Sequence, residues 1–215
     1  MSLRISWLLV LLASACAAVG GAWAARDLGR LQSQGTSGSA APRLASGTWL
    51  PAPRSAGDFT LTDQSGAAFT QASLAGEPSI VTFGFTHCPD VCPTTLATLA
   101  RVSRAAGVPP VRVIFVTVDP QRDTPPVLGH YVRAFDPGFI ALTGAPESIR
   151  ALARRLGVAY ERIALPGGDY TIDHTAVAFL LDAHGRVDAI FTAPFDAASL
   201  SSDLRSAAPF LAVRG

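Results

Sequence analysis

The 215-residue sequence contains no lysine and no asparagine, only one methionine and only three cysteines. Its 17 basic residues are therefore all arginine, and with 16 acidic residues the formal net charge is +1. Binding to nucleic-acid phosphates needs a clustered basic excess, so this balance argues against nucleic acid as the main partner. The chain is 49% hydrophobic and only 15% charged, which excludes a largely disordered protein. Three cysteines are also too few for a disulfide scaffold, so their positions become the functional question.

The N-terminal segment carries a run of 21 residues, 5–25, without a charged side chain and with an arginine on each side. About 20 apolar residues, each adding about 1.5 Å of helix, are enough to cross a bilayer. We expect residues 1–4 to be a short flank and 5–25 to be a retained membrane anchor. Two alternatives stay open: a signal peptide cleaved after the small-x-small site Ala22-Trp23-Ala24, and a lipoprotein signal ending at Cys16. Each would export the rest of the chain, so we expect a bacterial inner-membrane protein whose soluble domain faces the periplasm.

The next segment, residues 26–53, is rich in Gly, Ser, Ala and Pro and shows little hydrophobic periodicity. We interpret it as a flexible tether, with a root-mean-square span on the order of 30 Å. The first 53 residues carry four arginines and one aspartate, whereas the remainder has 13 basic and 15 acidic residues. The working domain, expected at 54–215, is therefore slightly acidic.

Within that domain, strand and helix patterns alternate. Two apolar runs, 79–85 and 111–118, predict central parallel strands joined by a right-handed crossover. The other predicted elements are hairpins at 57–70 and at 176–192 and helices at 94–106, 125–135, 147–156 and 197–208. Such alternation requires a sheet with helices on both faces, so we predict an α/β fold with an added N-terminal hairpin.

Two of the cysteines, Cys88 and Cys92, follow directly on the predicted strand 79–85, at the edge where open α/β sheets place their sites. Because Cys92 precedes Pro93, we expect the next helix to begin near Pro93 with Cys92 close to its N-cap. The free N–H groups and the positive end of the helix dipole would then lower the pKa of both thiols. The pattern therefore predicts a reactive pair of cysteines.

The residues alone leave the chemistry of this pair open. Disulfide exchange usually uses two intervening residues and here there are three, although a turn can bring the Cβ atoms within the required ~3.5–4.5 Å. A metal ion between two sulfurs demands less of the geometry. Two thiolates and one imidazole suit Cu(I), with His174 as the candidate imidazole, whereas Zn(II) would want a fourth ligand such as Asp90 or Asp173. The alternative for His174 is a loop histidine held by Asp173.

At these residues the chain resembles the Sco/SenC family of thioredoxin-like copper chaperones. The matching segments are collinear: TFGFTHCPDVCPTTL at 82–96, VTVDPQRDTPPVLGHY at 116–131, FIALTG at 139–144 and YTIDHTAVAFLLDAHGRV at 170–187. The resemblance covers roughly residues 57–210 and implies a thioredoxin-like fold with one copper ion held by Cys88, Cys92 and His174. It also implies a function in assembling the dinuclear copper centre of cytochrome c oxidase subunit II, in the periplasm or the intermembrane space.

The resemblance leaves two functions in competition. The first is a membrane-tethered protein that binds and transfers copper and is not an enzyme. The second is a thiol–disulfide oxidoreductase that uses Cys88 and Cys92 to reduce the recipient's cysteines without transferring metal. Besides subunit II, other periplasmic copper carriers and thioredoxin-like reductants are candidate partners.

Three carboxylates are candidates to surround the ligands: Asp90, Asp119 and Asp173. The charge of Asp90, if close, would raise the pKa of both thiols. Asp173 is a candidate acceptor that orients His174. Asp119 lies in the loop after the predicted strand 111–118, at the same sheet edge as the cysteines. The alternative interpretation of this loop is a turn and a helix cap made by Asp123 or Thr124.

Overall fold

The computed structural model describes residues 41–211, so the predicted flank at 1–4, the anchor at 5–25 with Cys16, and most of the predicted tether lie outside it. In the described part of the chain, no helix is both long and apolar enough to cross a membrane. The membrane segment therefore stays a prediction.

An eight-stranded mixed sheet forms the centre of the described domain. The described residues form ten strands, eight of them in this sheet: β1 (Gly47–Ser55), β2 (Thr60–Asp63), β3 (Ala68–Thr70), β4 (Ser79–Gly84), β5 (Arg112–Thr117), β6 (Ile140–Thr143), β7 (Tyr160–Ala164), β8 (Tyr170–His174), β9 (Val177–Leu181) and β10 (Arg186–Thr192). The helices are α1 (Val91–Ser103), α2 (Pro125–Arg133), α3 (Pro146–Leu156) and α4 (Ala197–Leu211), and a 3-10 turn at Gln71–Leu74 follows β3. The main sheet has the order β1-β10-β9-β4-β5-β6-β2-β3, while β7 and β8 form a separate two-stranded sheet.

The predicted central strands, 79–85 and 111–118, are confirmed as β4 and β5. They run parallel, with Ser79 opposite Arg112 and Gly84 opposite Thr117. Every residue of β4 is buried, as is every residue of β5 after Arg112. Burial on both faces explains why these segments are continuously apolar and do not alternate. Parallel neighbours need a crossover, which α1 provides.

Helices cover both faces of the sheet, as predicted. Successive residues of β5 point to opposite faces. Phe115 packs against Tyr131 of α2, with ring centroids 5.8 Å apart. Its neighbours Ile114 and Val116 line a small apolar cavity together with Leu152 of α3.

The sheet begins earlier in the chain than the composition indicated. Residues 47–53, assigned to the tether, belong to β1, which pairs antiparallel with β10. The carboxylate of Asp203 in α4 fastens the turn before β1 by accepting the N–H groups of Ala45 and Ser46 at 2.7 and 2.8 Å. Both partners of this segment are far away in sequence, so local composition carries no signal of them.

A third hairpin, β7–β8, was not predicted, unlike the hairpins β2–β3 and β9–β10. Its two strands pair antiparallel, with Tyr160 opposite His174 and Ala164 opposite Tyr170. Residues 161–164 are all exposed, so the segment lacks the buried alternation from which strands are predicted. His174 therefore ends a strand that was not predicted.

Candidate metal centre

The two cysteines of the domain lie where β4 ends and α1 begins. The helix starts at Val91, two residues before the predicted start at Pro93. Cys92 consequently lies inside the first helical turn, and Asp90 occupies the N-cap position. Proline is accommodated in a first turn because its missing N–H would have no intrahelical partner there. Cys88 lies in the turn that leads from the strand into the helix.

Cys88 and Cys92 contact each other across the helix N-terminus. The backbone N–H of Cys92 donates to Cys88 Sγ at 3.4 Å, and both thiols are free. An N–H of the first turn that points at a sulfur favours negative charge on it. Cys88 is half-buried, whereas Cys92 is only 3% exposed. Burial raises the pKa of the Cys92 thiol, so the prediction of a lowered pKa is wrong for Cys92, because desolvation outweighs the helix dipole there.

The end of β8 brings His174 to the same place. Its Nε2 lies 3.5 Å from Cys92 Sγ, across 82 residues of sequence. Its Nδ1 lies 3.2 Å from the carbonyl oxygen of Thr175, which holds the tautomer whose Nε2 carries a lone pair toward the sulfur. The ring of Phe85 packs edge-on against the imidazole, with centroids 6.2 Å apart. Burial lowers the pKa of His174 below its ordinary value, which favours the neutral, metal-binding imidazole.

The structure thus places Cys92 and His174 together and Cys88 beside them. Among residues 41–211, no three His, Cys, Asp or Glu side chains are arranged to hold a metal ion as they stand. The Cys92–His174 pair fits one ion, because bonds of about 2.3 Å to sulfur and about 2.0 Å to nitrogen close a 3.5 Å gap at about 110°. Cys88 Sγ accepts the N–H of Cys92 directly beside this pair, so it is the candidate third donor.

The three candidate carboxylates take other places. Asp90 is exposed at the N-cap of α1, where its side chain makes no capping hydrogen bond. Asp173 is exposed as well. It was expected to orient His174, but the carbonyl oxygen of Thr175 lies beside Nδ1 of that histidine instead. Asp119 is 1% exposed and accepts the hydroxyl of Tyr170 at 2.8 Å.

Sequence reasoning missed the part played by Asp123. This carboxylate is fully buried and accepts the hydroxyl of Thr117, together with the hydroxyl and the N–H of Thr86 at 2.6 and 3.1 Å. It is therefore not the cap of α2. Thr124 does occupy that N-cap, but its side chain makes no capping hydrogen bond. The available signal was a threonine at the end of each central strand, whose hydroxyl needs an acceptor at that sheet edge.

Tyr170, at the start of β8, is a second residue that was not singled out as functional. Its ring lies between two guanidinium groups, with the Cζ of Arg122 3.7 Å and that of Arg162 3.8 Å from its centroid. Arg122 also forms an ion pair with the buried Asp119. This cluster joins the loop after β5 to the hairpin that carries His174.

Two surface depressions flank the site. One, of about 400 Å³, is mostly apolar and is lined by Asp90, Val91, Pro194 and Phe195 among others. The other, of about 380 Å³, is lined by His174 and its neighbours on the hairpin. Cys92 is thus enclosed by protein, whereas His174 and Cys88 are partly exposed to a partner.

The α/β fold and the site define a thioredoxin-like protein with two thiols and an imidazole at the carboxyl end of its central strands. Residues 49–208 match the family model of SCO1/SenC. The chain therefore belongs to the SCO1/SenC family, as its motifs had indicated.

Individual relatives agree with this assignment. The SCO2-like protein of Rickettsia felis is 39% identical over 134 residues, which are 60% of this chain and 65% of that protein. The matched region is thus less than two thirds of that relative's length. The copper-bound crystal structure of Arabidopsis thaliana ScoI is 35% identical with a TM-score of 0.68, over 72% of this chain and 98% of that one. BsSco, a member of the Sco family of cytochrome c oxidase assembly proteins in which a disulfide switch was identified, is 25% identical with a TM-score of 0.58, over 75% and 98%.

Proposed function

We propose that this chain binds one copper ion through Cys88, Cys92 and His174 and hands it on during assembly of cytochrome c oxidase. The observation that carries the proposal is the 3.5 Å approach of Cys92 Sγ to His174 Nε2, with Cys88 Sγ on the adjoining backbone N–H. Two sulfurs and one imidazole form a soft donor set of low coordination number, which suits Cu(I). The copper bound in Arabidopsis thaliana ScoI and the assembly role of BsSco support the same conclusion.

In this proposal copper is the cargo, and the site is built to release it. Cys92 is buried, whereas Cys88 and His174 are partly exposed, and His174 lines one of the surface depressions. A recipient's donor can therefore approach the ion from the side of Cys88 and His174 while Cys92 still holds it. Because burial keeps Cys92 protonated in the metal-free protein, the incoming ion displaces a proton from that thiol.

The proposal extends to the recipient and the location. The recipient is subunit II of the oxidase, whose dinuclear copper centre receives the ion. Residues 5–25 hold the chain in the bacterial inner membrane, and a tether that ends near the first residue of β1, Gly47, lets the domain work in the periplasm. Support comes from the uncharged 21-residue run and from the Gly- and Ser-rich segment after it.

The test is the Cu(I) affinity of the full-length protein, measured without oxygen by competition with a chromophoric Cu(I) chelator. We expect Cys88→Ser and Cys92→Ser to abolish tight binding and His174→Ala to weaken it at least tenfold. The matched control is His184→Ala, because His184 is an exposed histidine in the turn between β9 and β10. If His174→Ala binds Cu(I) as tightly as the parent, the three-ligand model is wrong. In cells, the same variants should leave subunit II without copper.

A second function, disulfide reduction, is favoured by the unequal exposure of the two thiols. The half-buried Cys88 would attack one sulfur of the recipient's disulfide as a thiolate, which releases the other sulfur. Cys92 would then attack the mixed disulfide at Cys88, so that the recipient leaves with two reduced thiols and this chain with a Cys88–Cys92 disulfide. A dithiol reductant must restore the pair. His174→Ala distinguishes the two functions, because it should impair copper delivery and spare disulfide reduction.

A further inference from the structure

The loop between β5 and α2 holds both ligand-bearing segments at once. We infer that Asp119, Arg122 and Asp123, here called the 119–123 brace, fix His174 against the cysteines and so set the affinity of the copper site. The inference rests on the proposed function, because it concerns the three ligands proposed there. The brace residues are positioning residues, since they act through the segments that they hold.

The first side of the brace holds the cysteine segment. The fully buried Asp123 accepts both the hydroxyl and the N–H of Thr86, at 2.6 and 3.1 Å. Thr86 lies two residues before Cys88, between the end of β4 and the turn. A buried carboxylate with charge-assisted bonds to a backbone N–H is a strong local constraint. The turn that carries Cys88 therefore starts from a fixed point.

The second side of the brace holds the histidine hairpin. Asp119 accepts the hydroxyl of Tyr170 at 2.8 Å, and Arg122 donates to the carbonyl oxygen of Tyr170 at 3.1 Å. The guanidinium of Arg122 also stacks on the tyrosine ring, and Arg162 stacks on the opposite face. Tyr170 opens β8, the strand that ends at His174.

The two sides form one unit. The N–H groups of Arg122 and Asp123 both donate to the carbonyl oxygen of Asp119, at 3.2 and 2.9 Å, which folds the loop back on itself. The N–H of Asp119 in turn donates to the hydroxyl of Thr117 at 2.9 Å. The loop is therefore tied to the end of β5, and a shift on one side is transmitted to the other.

The histidine hairpin needs such a brace. A two-stranded hairpin is marginally stable by itself, and β7–β8 is not part of the main sheet. Residues 161–164 are exposed and bury little apolar surface. Ile172 in the middle of β8 is buried in the core, and the polar contacts of Tyr170 fix the end of the strand that is remote from His174. The placement of His174 within reach of Cys92 thus depends on both.

The experiment compares Tyr170→Phe in the parent and in the His174→Ala background of the full-length protein. The substitution keeps the ring between the two guanidinium groups and removes only the hydroxyl that reaches Asp119. We expect it to weaken Cu(I) binding by a factor of about three to ten in the parent, because the start of the strand that ends at His174 loses its hydrogen bond to Asp119. In the His174→Ala background we expect a much smaller loss, because Tyr170 opens the strand that ends at His174.

A second variant, Arg122→Lys, keeps the charge and removes the forked contacts, and should show the same dependence on His174. The control is Ile163→Thr, a 42% exposed position on the same hairpin, which should leave binding unchanged. The inference is overturned if neither variant weakens binding in the parent, or if the loss persists undiminished with His174→Ala. An unchanged affinity of His174→Ala itself would instead refute the proposed ligand set, so the two failures are distinguishable.

Discussion

The sulfur of Cys92 and Nε2 of His174 lie 3.5 Å apart, although 82 residues separate them in the chain. The sulfur comes from the first turn of a helix behind the central strand β4, and the imidazole from the end of an outlying hairpin. The positions of both side chains therefore depend on contacts with other segments at this edge of the sheet. The variants below test what maintains this approach.

Gly84, the last residue of β4, leaves the space that the Cys92 sulfur occupies. A Cβ at this position would lie 2.7 Å from Cys92 Sγ and 2.7 Å from Cε2 of Phe115. Because both neighbours are buried, we expect Gly84→Ala to lower the free energy of unfolding by about 1–3 kcal/mol and to displace the sulfur. Urea unfolding and Cu(I) competition should both register the change.

Gly129→Ala is the matched control for that variant. Gly129 lies in α2, where an added Cβ would lie 3.1 Å from Nη1 of Arg133 and 3.3 Å from Cβ of Gln64, both longer than the approaches at Gly84. Alanine also favours the helix by roughly 1 kcal/mol over glycine. We expect this control to keep the Cu(I) affinity of the parent. Equal copper affinity in Gly84→Ala would show that the glycine is not needed for the position of the sulfur.

Much of the fold followed from the sequence because burial leaves a strong local pattern. The apolar runs that became β4 and β5, and the helix that ends at Gly157 with φ of 80°, were predicted for that reason. β1 and the β7–β8 hairpin were missed because their partners are distant or their residues exposed, and β6 was missed because four residues are too few to show a pattern. The prediction for the pKa of Cys92 failed because helix position can be inferred locally, whereas burial under distant segments cannot.

The candidate site, too, could be predicted only in part. The sequence pattern predicted that Cys88 and Cys92 follow directly on a strand. His174 became as strong a ligand candidate as the two cysteines only through the family resemblance. Tyr170 gave no sign of its role because its partners, Asp119 and Arg122, lie about 50 residues earlier in the chain.

The lowered pKa of His174 predicts a pH dependence for the metal-free protein. The unfolded imidazole titrates near its ordinary pKa of about 6.5, and burial lowers the folded value below that. Between the two values the unfolded chain binds a proton that the folded chain does not, so this contribution to stability is complete above about pH 6.5 and is lost as the pH falls. We therefore expect parent stability to fall more steeply than that of His174→Ala between about pH 7.5 and 5.5.

Urea unfolding of the metal-free full-length proteins at several pH values measures this difference. His130→Ala, which replaces an exposed histidine of α2, serves as the matched control. Identical slopes for the parent and His174→Ala would contradict the expectation.

Asp123 is predicted to be a major stabilising residue of the sheet edge. It accepts three hydrogen bonds while fully buried. In Asp123→Asn an amide N–H₂ replaces one acceptor and faces donors, so we expect a loss of about 2–3 kcal/mol in the free energy of unfolding. Thr86→Val removes a single hydroxyl donor and should cost less, about 1 kcal/mol. A smaller loss in Asp123→Asn than in Thr86→Val, by chemical denaturation, would speak against this account.

The start of the folded domain is predicted to depend on Asp203. Its two carboxylate oxygens accept the N–H groups of Ala45 and Ser46 and the hydroxyl of Ser46, at 2.7 to 2.8 Å. We expect Asp203→Ala to release the turn before β1, so that the amides of residues 45–49 exchange with deuterium faster. The tether would then end several residues closer to the C-terminus, and the folded domain would begin later.

Hydrogen exchange read out by mass spectrometry measures that release, and Ser202→Ala, an exposed neighbour on the same helix, is the control. The Cu(I) affinity should stay at the parent value in both variants, because β1 pairs with β10 at the outer edge of the sheet, whereas the ligands lie at the end of β4 and on the hairpin. Unchanged exchange at 45–49 in Asp203→Ala would show that strand pairing alone fixes the boundary between tether and domain. A lower copper affinity in that variant would show instead that the edge strand and the site are coupled.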